Sequence, residues 1–323
     1  MKYIFTTIIM CIGLSLHSQQ LGQYTMYMLN KYRNNSAYAG LDKSLSATGV
    51  YRAQWVGLKG SPIQQNVNVH LPVYLIKGGV GLNVENITYG AEQNLSATLS
   101  YAFHKPVGSD GILSLGLGGG IYQQSLDGSI LRTPGGLYEE NIPINHNDQL
   151  LTEGKASGIT PIFNAGVYFQ TERFEAGISA MNLIEPKINL DNNINFQLKR
   201  HYFFTMAYNW DISNTLTLKP SIMIKSDIIE TQMEISTIIQ YNDNIFGGVA
   251  FRGYNQETID AAAFLAGIKL SEKITLAYSY DLTLSSYNSV SNGSHEILIN
   301  YNLNKVIGAG VPPRIIHNPR FLE

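Results

Sequence analysis

The sequence predicts an all-β protein, a transmembrane antiparallel β-barrel of about 14 strands. Three observations predict it. Apolar residues recur with period two from residue 44 onward. The connections fall into a set of tight turns and a set of long loops. The third is composition: the 323 residues are 44% apolar and only 14% charged, where soluble domains carry roughly 25% charge. Gly (30), Asn (28) and Tyr (20) take the place of the missing charge. The chain is too apolar and aromatic to be disordered. A net charge of −2 with no block of Lys or Arg excludes the footprint of a nucleic-acid binder.

Residues 1–18 read as a secretory signal: Lys2 is the positive start, Ile4 to Leu16 the apolar run, and Ser18 the small residue before Gln19. That run is too short to cross a bilayer as a helix. Cys11 is the single cysteine. It lies inside the apolar run after the bulky Met10, which speaks against a lipid anchor, and cleavage would leave no cysteine for disulfides, thiol chemistry or metal ligation. Residues 19–43 are too polar to face lipid, with Gln19, Gln20, Gln23, Tyr24, Tyr27 and Tyr32 ahead of Asn30 to Gly40. They are expected to form a short helix and an extended loop at the periplasmic mouth or inside the lumen.

The barrel is expected over residues 44–303. Its strands are placed at 44–55, 64–71, 79–87, 92–104, 111–123, 161–170, 173–182, 199–210, 215–226, 231–241, 244–253, 259–270, 273–283 and 294–303. In the fourth, Leu95, Ala97, Leu99, Tyr101 and Phe103 alternate with Ser96, Thr98, Ser100 and Ala102. In the tenth, Met233, Ile235, Thr237 and Ile239 alternate with Gln232, Glu234, Ser236 and Gln240. In the thirteenth, Ile274, Leu276, Tyr278, Tyr280 and Leu282 alternate with Thr275, Ala277, Ser279 and Asp281. One apolar face and one polar or small face suit lipid outside and a filled or wet interior. Tight turns at Thr171–Arg173, Asp211–Asn214, Asn242–Asp243 and Ser271–Glu272 alternate with long loops at 124–160, 183–198 and 284–293. Even parity places both termini in the periplasm, and residues 304–323, with Pro312, Pro313 and Pro319, form an extended periplasmic tail.

Candidate chemistry is sparse. Gly116, Gly118, Gly119 and Gly120 are followed by strand residues rather than a helix, so they do not cradle phosphate and instead mark close packing at a bend or against a plug. The seven histidines show no HxH or HExxH spacing. Ser294, His295 and scattered Asp residues could be assembled into a hydrolase triad on paper, but any exported chain this long offers such sets. Glu139, Glu140, Asp148 and Glu153 cluster in the third outer loop, where a solvated loop is preferred over a cation site. Trp55, Tyr74, Tyr89, Tyr101, Phe103, Tyr122, Phe169, Tyr208 and Trp210 fall near strand ends, as interfacial girdles require. No cofactor, metal site or catalytic residue is expected.

The opening of the mature chain carries a resemblance. Gln23-Tyr24, then Asn35-Ser36-Ala37-Tyr38-Ala39-Gly40, then Arg52-Ala53-Gln54-Trp55 with Pro62, closely resembles the start of the PorP/SprF family of the type IX secretion and gliding machinery of Bacteroidota. Ser36 stands where that family has Pro. The resemblance implies a non-catalytic outer-membrane barrel. It implies as partners a large secreted gliding-type adhesin, held through its C-terminal domain, and periplasmic components of the secretion system. From the residues themselves, Ala37, Ala39 and Gly40 allow close backbone approach. Arg52 and Gln54 share a face opposite Tyr51, Ala53 and Trp55. A luminal Arg52 that binds backbone carbonyls of residues 30–40 would seal the barrel, and this plug is preferred over a cargo site. The alternative is a passive outer-membrane porin or uptake channel, which an inward face with few charges disfavours.

Overall fold

The computed structural model describes residues 21–139, 143–148, 151–191, 194–255 and 258–305. The signal segment 1–18, Cys11, Glu140 and nearly all of the 304–323 tail lie outside the described residues. The strands are β1 (Ser46–Ala53), β2 (Ile63–Val73), β3 (Gly78–Tyr89), β4 (Glu92–Val107), β5 (Gly111–Asp127), β6 (Lys155–Gln170), β7 (Phe174–Met181), β8 (Lys187–Asp191), β9 (Ile194–Gln197), β10 (His201–Tyr208), β11 (Trp210–Ser213), β12 (Leu216–Ser226), β13 (Thr231–Tyr241), β14 (Ile245–Arg252), β15 (Ala261–Lys269), β16 (Ile274–Thr283) and β17 (Ser294–Asn302). A break at Asn209 separates β10 from β11, and both pair with β12, so they act as one stave. Setting aside the separate β8–β9 hairpin, 14 antiparallel staves close into a barrel. The first and last strands pair, Ser46 opposite Asn302 through Ala53 opposite His295. The β10–β12 pairing completes the circle. Closure leaves no strand edge, which is the condition for crossing lipid with strands.

The observed strands follow the predicted ones closely because one face of each is committed to lipid, and a one-residue slip would invert it. Leu99, Leu117, Val249, Phe264, Ile297 and Ile299 are exposed on the outer surface. Strands β5 and β6 run beyond the prediction, so the long loop narrows to 128–154. Asp211 to Ser213 belong to β11, and the turn itself is only 214–215.

At one end, the connections 74–77, 108–110, 171–173, 214–215, 242–244 and 270–273 are all tight. Asn242 and Asp243 both take φ near +50° (49° and 53°), the left-handed pair that a tight hairpin turn needs. The other end carries the longer loops 54–62, 128–154, 182–200, 253–260 and 284–293, with short hairpins at 90–91 and 227–230. We call these the tight-turn end and the long-loop end. The β8–β9 hairpin folds back inside the long-loop end. There Ile188, Leu190, Ile194 and Leu198 pack with Ile162 and against Tyr122, Leu126 and Ala156 of β5 and β6.

The aromatic expectation is corrected in part. Tyr74, Tyr101, Phe103, Tyr208 and Trp210 are exposed on the outer surface toward the tight-turn end. Phe169 packs there on Phe174. Tyr89 and Tyr122 instead line an interior cavity. Trp55 lies past the end of β1, with φ of 51°, and stacks on Tyr287 of another loop at 4.5 Å. Strand-end position alone does not decide which face a ring occupies.

Candidate functional site: a filled lumen

Residues 21–45 run through the barrel, from the long-loop half at Gln23 to the start of β1 at the tight-turn end. Thr25, Met26, Ala37 and Ala39 are fully buried. Lys31–Asn34 form one helical turn and Ser36–Tyr38 a 3-10 turn. The helical piece is too short to hold itself. The segment depends on the wall, and four sets of contacts anchor it.

The first set is ionic. Arg52 of β1 donates to Asp281 of β16 at 2.7 Å and to Glu296 of β17 at 3.1 Å. Arg252 of β14 pairs with Glu234 of β13 at 2.7 Å and with Asp260 and Asp281 at 3.3 Å. Thr25 sits between the two guanidiniums. Its hydroxyl donates to Asp281 and accepts from Arg52 at 3.1 Å and from Arg252 at 2.9 Å. The amides of Thr25 and Met26 donate to Glu296 at 2.8 and 3.1 Å. Two guanidiniums and two carboxylates from four strands therefore meet at one plug residue, while Glu234 of β13 and Asp260 of the 253–260 loop hold Arg252. Buried charges of this kind persist only where such partners are in place.

Beside this network lies an apolar cluster. Met26 and Tyr24 pack with Val50, Ile238, Phe246, Leu265, Ala277 and Leu298. The second set is two ion pairs between plug and wall. Arg33 reaches Glu85 at 2.6 Å, with the guanidinium 4.2 Å above the Tyr24 ring. Lys31 reaches Glu175 at 2.6 Å.

The third set is a chain of amides. Gln64 donates to Gln54 at 2.9 Å, and Gln54 donates to Gln23 at 3.2 Å. Asn30 donates to Asn66 at 3.0 Å, and Asn68 donates back to Asn30 at 2.8 Å. The backbone amide of Gln54 also donates to the Pro62 carbonyl at 2.9 Å, which closes the base of the 54–62 loop.

The fourth set seats the Asn35–Gly40 segment. Ser114 and Ser179 donate to the carbonyls of Ala37 and Asn34, both at 2.6 Å. Asn35 bridges the carbonyls of Val167 and Ile178. His104 Nε2 meets the Ala39 carbonyl at 2.9 Å, and the Gly40 amide donates to His70 Nδ1 at 3.1 Å. Tyr38 is buried and donates to Asp42 at 2.8 Å. A Cβ on Gly116 would land inside the Ala37 backbone, so the glycine run of β5 is where the plug touches the wall. Gly40 takes φ of +81°, and a Cβ there would strike Gly79 and Pro72.

The structure thus brings Ala37, Tyr38, Ala39, Gly40, Arg52 and Gln54 to the plug–wall contact. Trp55 and Pro62 lie just above it in the loop. Two expectations are corrected. Arg52 does not bind carbonyls of residues 30–40; the carboxylates of Asp281 and Glu296 take it because they offer full charge, and the Thr25 hydroxyl accepts a further bond. The inward face is also not poor in charge, since Glu85, Glu234, Arg252, Asp281 and Glu296 all point inward. Alternation had placed Glu234 and Asp281 on the polar face, but only closure brings them together. Among the described residues no group of three or more His, Cys, Asp or Glu is set to hold a metal. Glu139, Asp148 and Glu153 form no such group.

Comparison with known proteins decides the family. The model of the type IX secretion system membrane proteins PorP/SprF matches residues 16–301. The chain belongs to the PorP/SprF family. It is accordingly an outer-membrane protein of a secretion system. No curated protein sequence matches it. Among solved structures it is similar to the Ralstonia pickettii toluene transporter TbuX, with 13% identity, coverage of 85% of this chain and 92% of the other, and a TM-score of 0.49. It is also similar to the Acinetobacter baumannii outer membrane protein Omp33, with 6% identity, coverage of 80% and 97%, and a TM-score of 0.44. A Pseudomonas aeruginosa FadL homologue matches with 11% identity, coverage of 80% and 89%, and a TM-score of 0.42. The seated A-Y-A-G and R-x-Q-W segments are thus the same residues that carry the resemblance to PorP/SprF.

Proposed function

We propose that this PorP/SprF protein is a non-enzymatic cell-surface anchor or accessory partner for a large secreted adhesin, engaged through the adhesin's C-terminal domain. Periplasmic type IX components are its further contacts. The observation that carries this reading is family membership joined to a lumen filled by the chain's own residues 21–45. A barrel that fills its own lumen invests in a scaffold for its loops rather than in a path for solutes. In this reading the tight-turn end and both tails face the periplasm, and the long-loop end faces outward. Loops 54–62, 128–154 and 284–293 then offer the cargo surface. The 182–200 loop offers less, because its apolar side chains are spent on the β8–β9 hairpin packing.

The test is affinity purification of the tagged protein from native membranes, with identification of the proteins that accompany it. A far larger surface protein and periplasmic secretion components are expected to copurify. Purification of the barrel alone, together with steady single-channel currents in planar bilayers, would overturn the proposal in favour of a porin.

A further inference from the structure

Closure pairs both edges of each stave within the lipid belt, but β6 outruns β7 at the long-loop end. β5 accompanies β6 along its whole length, from Asp127 opposite Lys155 to Ile112 opposite Gln170. β7 accompanies it only from Ala165 to Gln170. In an antiparallel ladder, successive residues turn their amide and carbonyl to opposite sides. Just past the β5–β6 ladder the Gly128 amide donates to the Gly154 carbonyl at 2.9 Å, so the even-numbered residues of β6 serve β5. The odd-numbered ones face the other way, where the Phe163 carbonyl accepts from the Leu183 amide at 2.9 Å. Beyond that point, among the described residues, no hydrogen bond reaches the amides of Ser157 and Ile159 or the carbonyls of Ser157, Ile159 and Pro161. Pro161 is itself odd-numbered, so its missing amide costs the β5 ladder nothing. Unpaired backbone is not tolerated in hydrocarbon, which puts this edge above the bilayer. The β8–β9 hairpin backs its inner face, with Asn189 against Gly158. The edge is thus held in place before anything binds, which lowers the ordering cost of pairing. Lys155, Ser157 and Ile159 turn their side chains outward, and Ile159 is 64% exposed.

We infer that this edge of β6 receives a β-strand of another polypeptide, antiparallel to β6 and in line with β7. On the adhesin reading, on which this rests, the strand belongs to the adhesin's C-terminal domain. Main-chain bonds to Ser157, Ile159 and Pro161 hold it, and an apolar side chain beside Ile159 completes the outer face. A second copy cannot be the occupant, because its own open β6 edge runs the same way in the same membrane.

The tagged protein and two double variants are purified from native membranes. Ser157→Pro with Ile159→Pro removes two amides from the open edge and none from the β5 ladder. Ser157→Thr with Ile159→Thr alters the same side chains and keeps the amides. Heat-modifiable migration on gels checks that each barrel is folded. The parent and the Thr variant are expected to retain the same large protein, identified by mass spectrometry. The Pro variant is expected to retain at least ~10-fold less, from about one net hydrogen bond per lost amide. Hydrogen exchange at the Ser157 and Ile159 amides is expected to be fast in the protein alone and slow in the complex. Equal retention by a folded Pro variant, or exchange at these amides unchanged by the bound protein, would overturn strand addition and leave the adhesin reading standing. Slow exchange in the protein alone would overturn it too, since the chain's own loops would then occupy the edge. If the parent retains no large protein, both readings fall. Should the Pro variant fail to fold, the exchange measurement decides by itself.

Discussion

Arg52 shows how one side chain can couple parts of the chain far apart in sequence. It joins β1 to β16 and β17 and holds Thr25 between itself and Arg252. Removing it leaves Glu296 buried with no cation, held only by the amides of Thr25 and Met26, and leaves Asp281 with Arg252 alone. Arg52→Met is therefore expected to destabilise the protein by about 3–5 kcal/mol, the cost of a buried pair losing one partner. Urea unfolding from lipid vesicles measures it. Thr25→Val removes only the shared hydroxyl, and its expected cost is lower, about 1–3 kcal/mol. Gly116 works by absence. Gly116→Val places a branched side chain in the Ala37 backbone, so residues 35–38 must leave the wall. Faster limited proteolysis of the 21–45 segment, with the barrel itself intact, is the expected outcome.

At the scale of elements, the plug and the wall are built for different solvents. The staves hold one another through ladders that need nothing from the lumen. The plug has one helical turn and one 3-10 turn; its backbone bonds largely to itself, and the wall holds it through side chains and a few backbone groups. Deleting residues 21–43 is thus expected to leave a folded barrel, seen as an unchanged β-type circular dichroism spectrum, with a lumen that now conducts. Planar-bilayer recordings check this: steady currents for the deletion and none for the intact protein. A deletion as silent as the parent would show that the plug is not what closes the lumen. The β8–β9 hairpin is a second, smaller filler. Ile188 is 1% exposed in it, so Ile188→Asp is expected to release the hairpin and raise hydrogen exchange across 182–200 without touching the plug.

For the whole molecule, the division of charge explains both surfaces. The outer band is apolar, and Leu117 is 67% exposed upon it. Leu117→Lys is expected to cost roughly 2–4 kcal/mol if it lies near the bilayer midplane, less toward either interface. Refolding into vesicles of different thickness measures that depth dependence. The charge missing from the outer band is concentrated inside, where opposite signs meet. The outcome is a barrel with a filled lumen and a long-loop rim, in a member of a secretion-system family.

By itself the sequence determined the strand order, the face of nearly every strand and the tight turns, because lipid demands a strict period of two and a slip inverts the surface. The Ala37–Gly40 and Arg52–Trp55 blocks made the family legible as well. The plug could be suspected from its polarity and from the glycines that receive it. The partners of Arg52 could not be read, since Asp281 and Glu296 lie more than two hundred residues away and become its neighbours only when β1 closes on β17. The inward turn of Tyr122, the Trp55–Tyr287 stack and the burial of Lys225 were likewise decided by tertiary structure. Alternation says that a side chain points in, while closure of the barrel decides what it meets there.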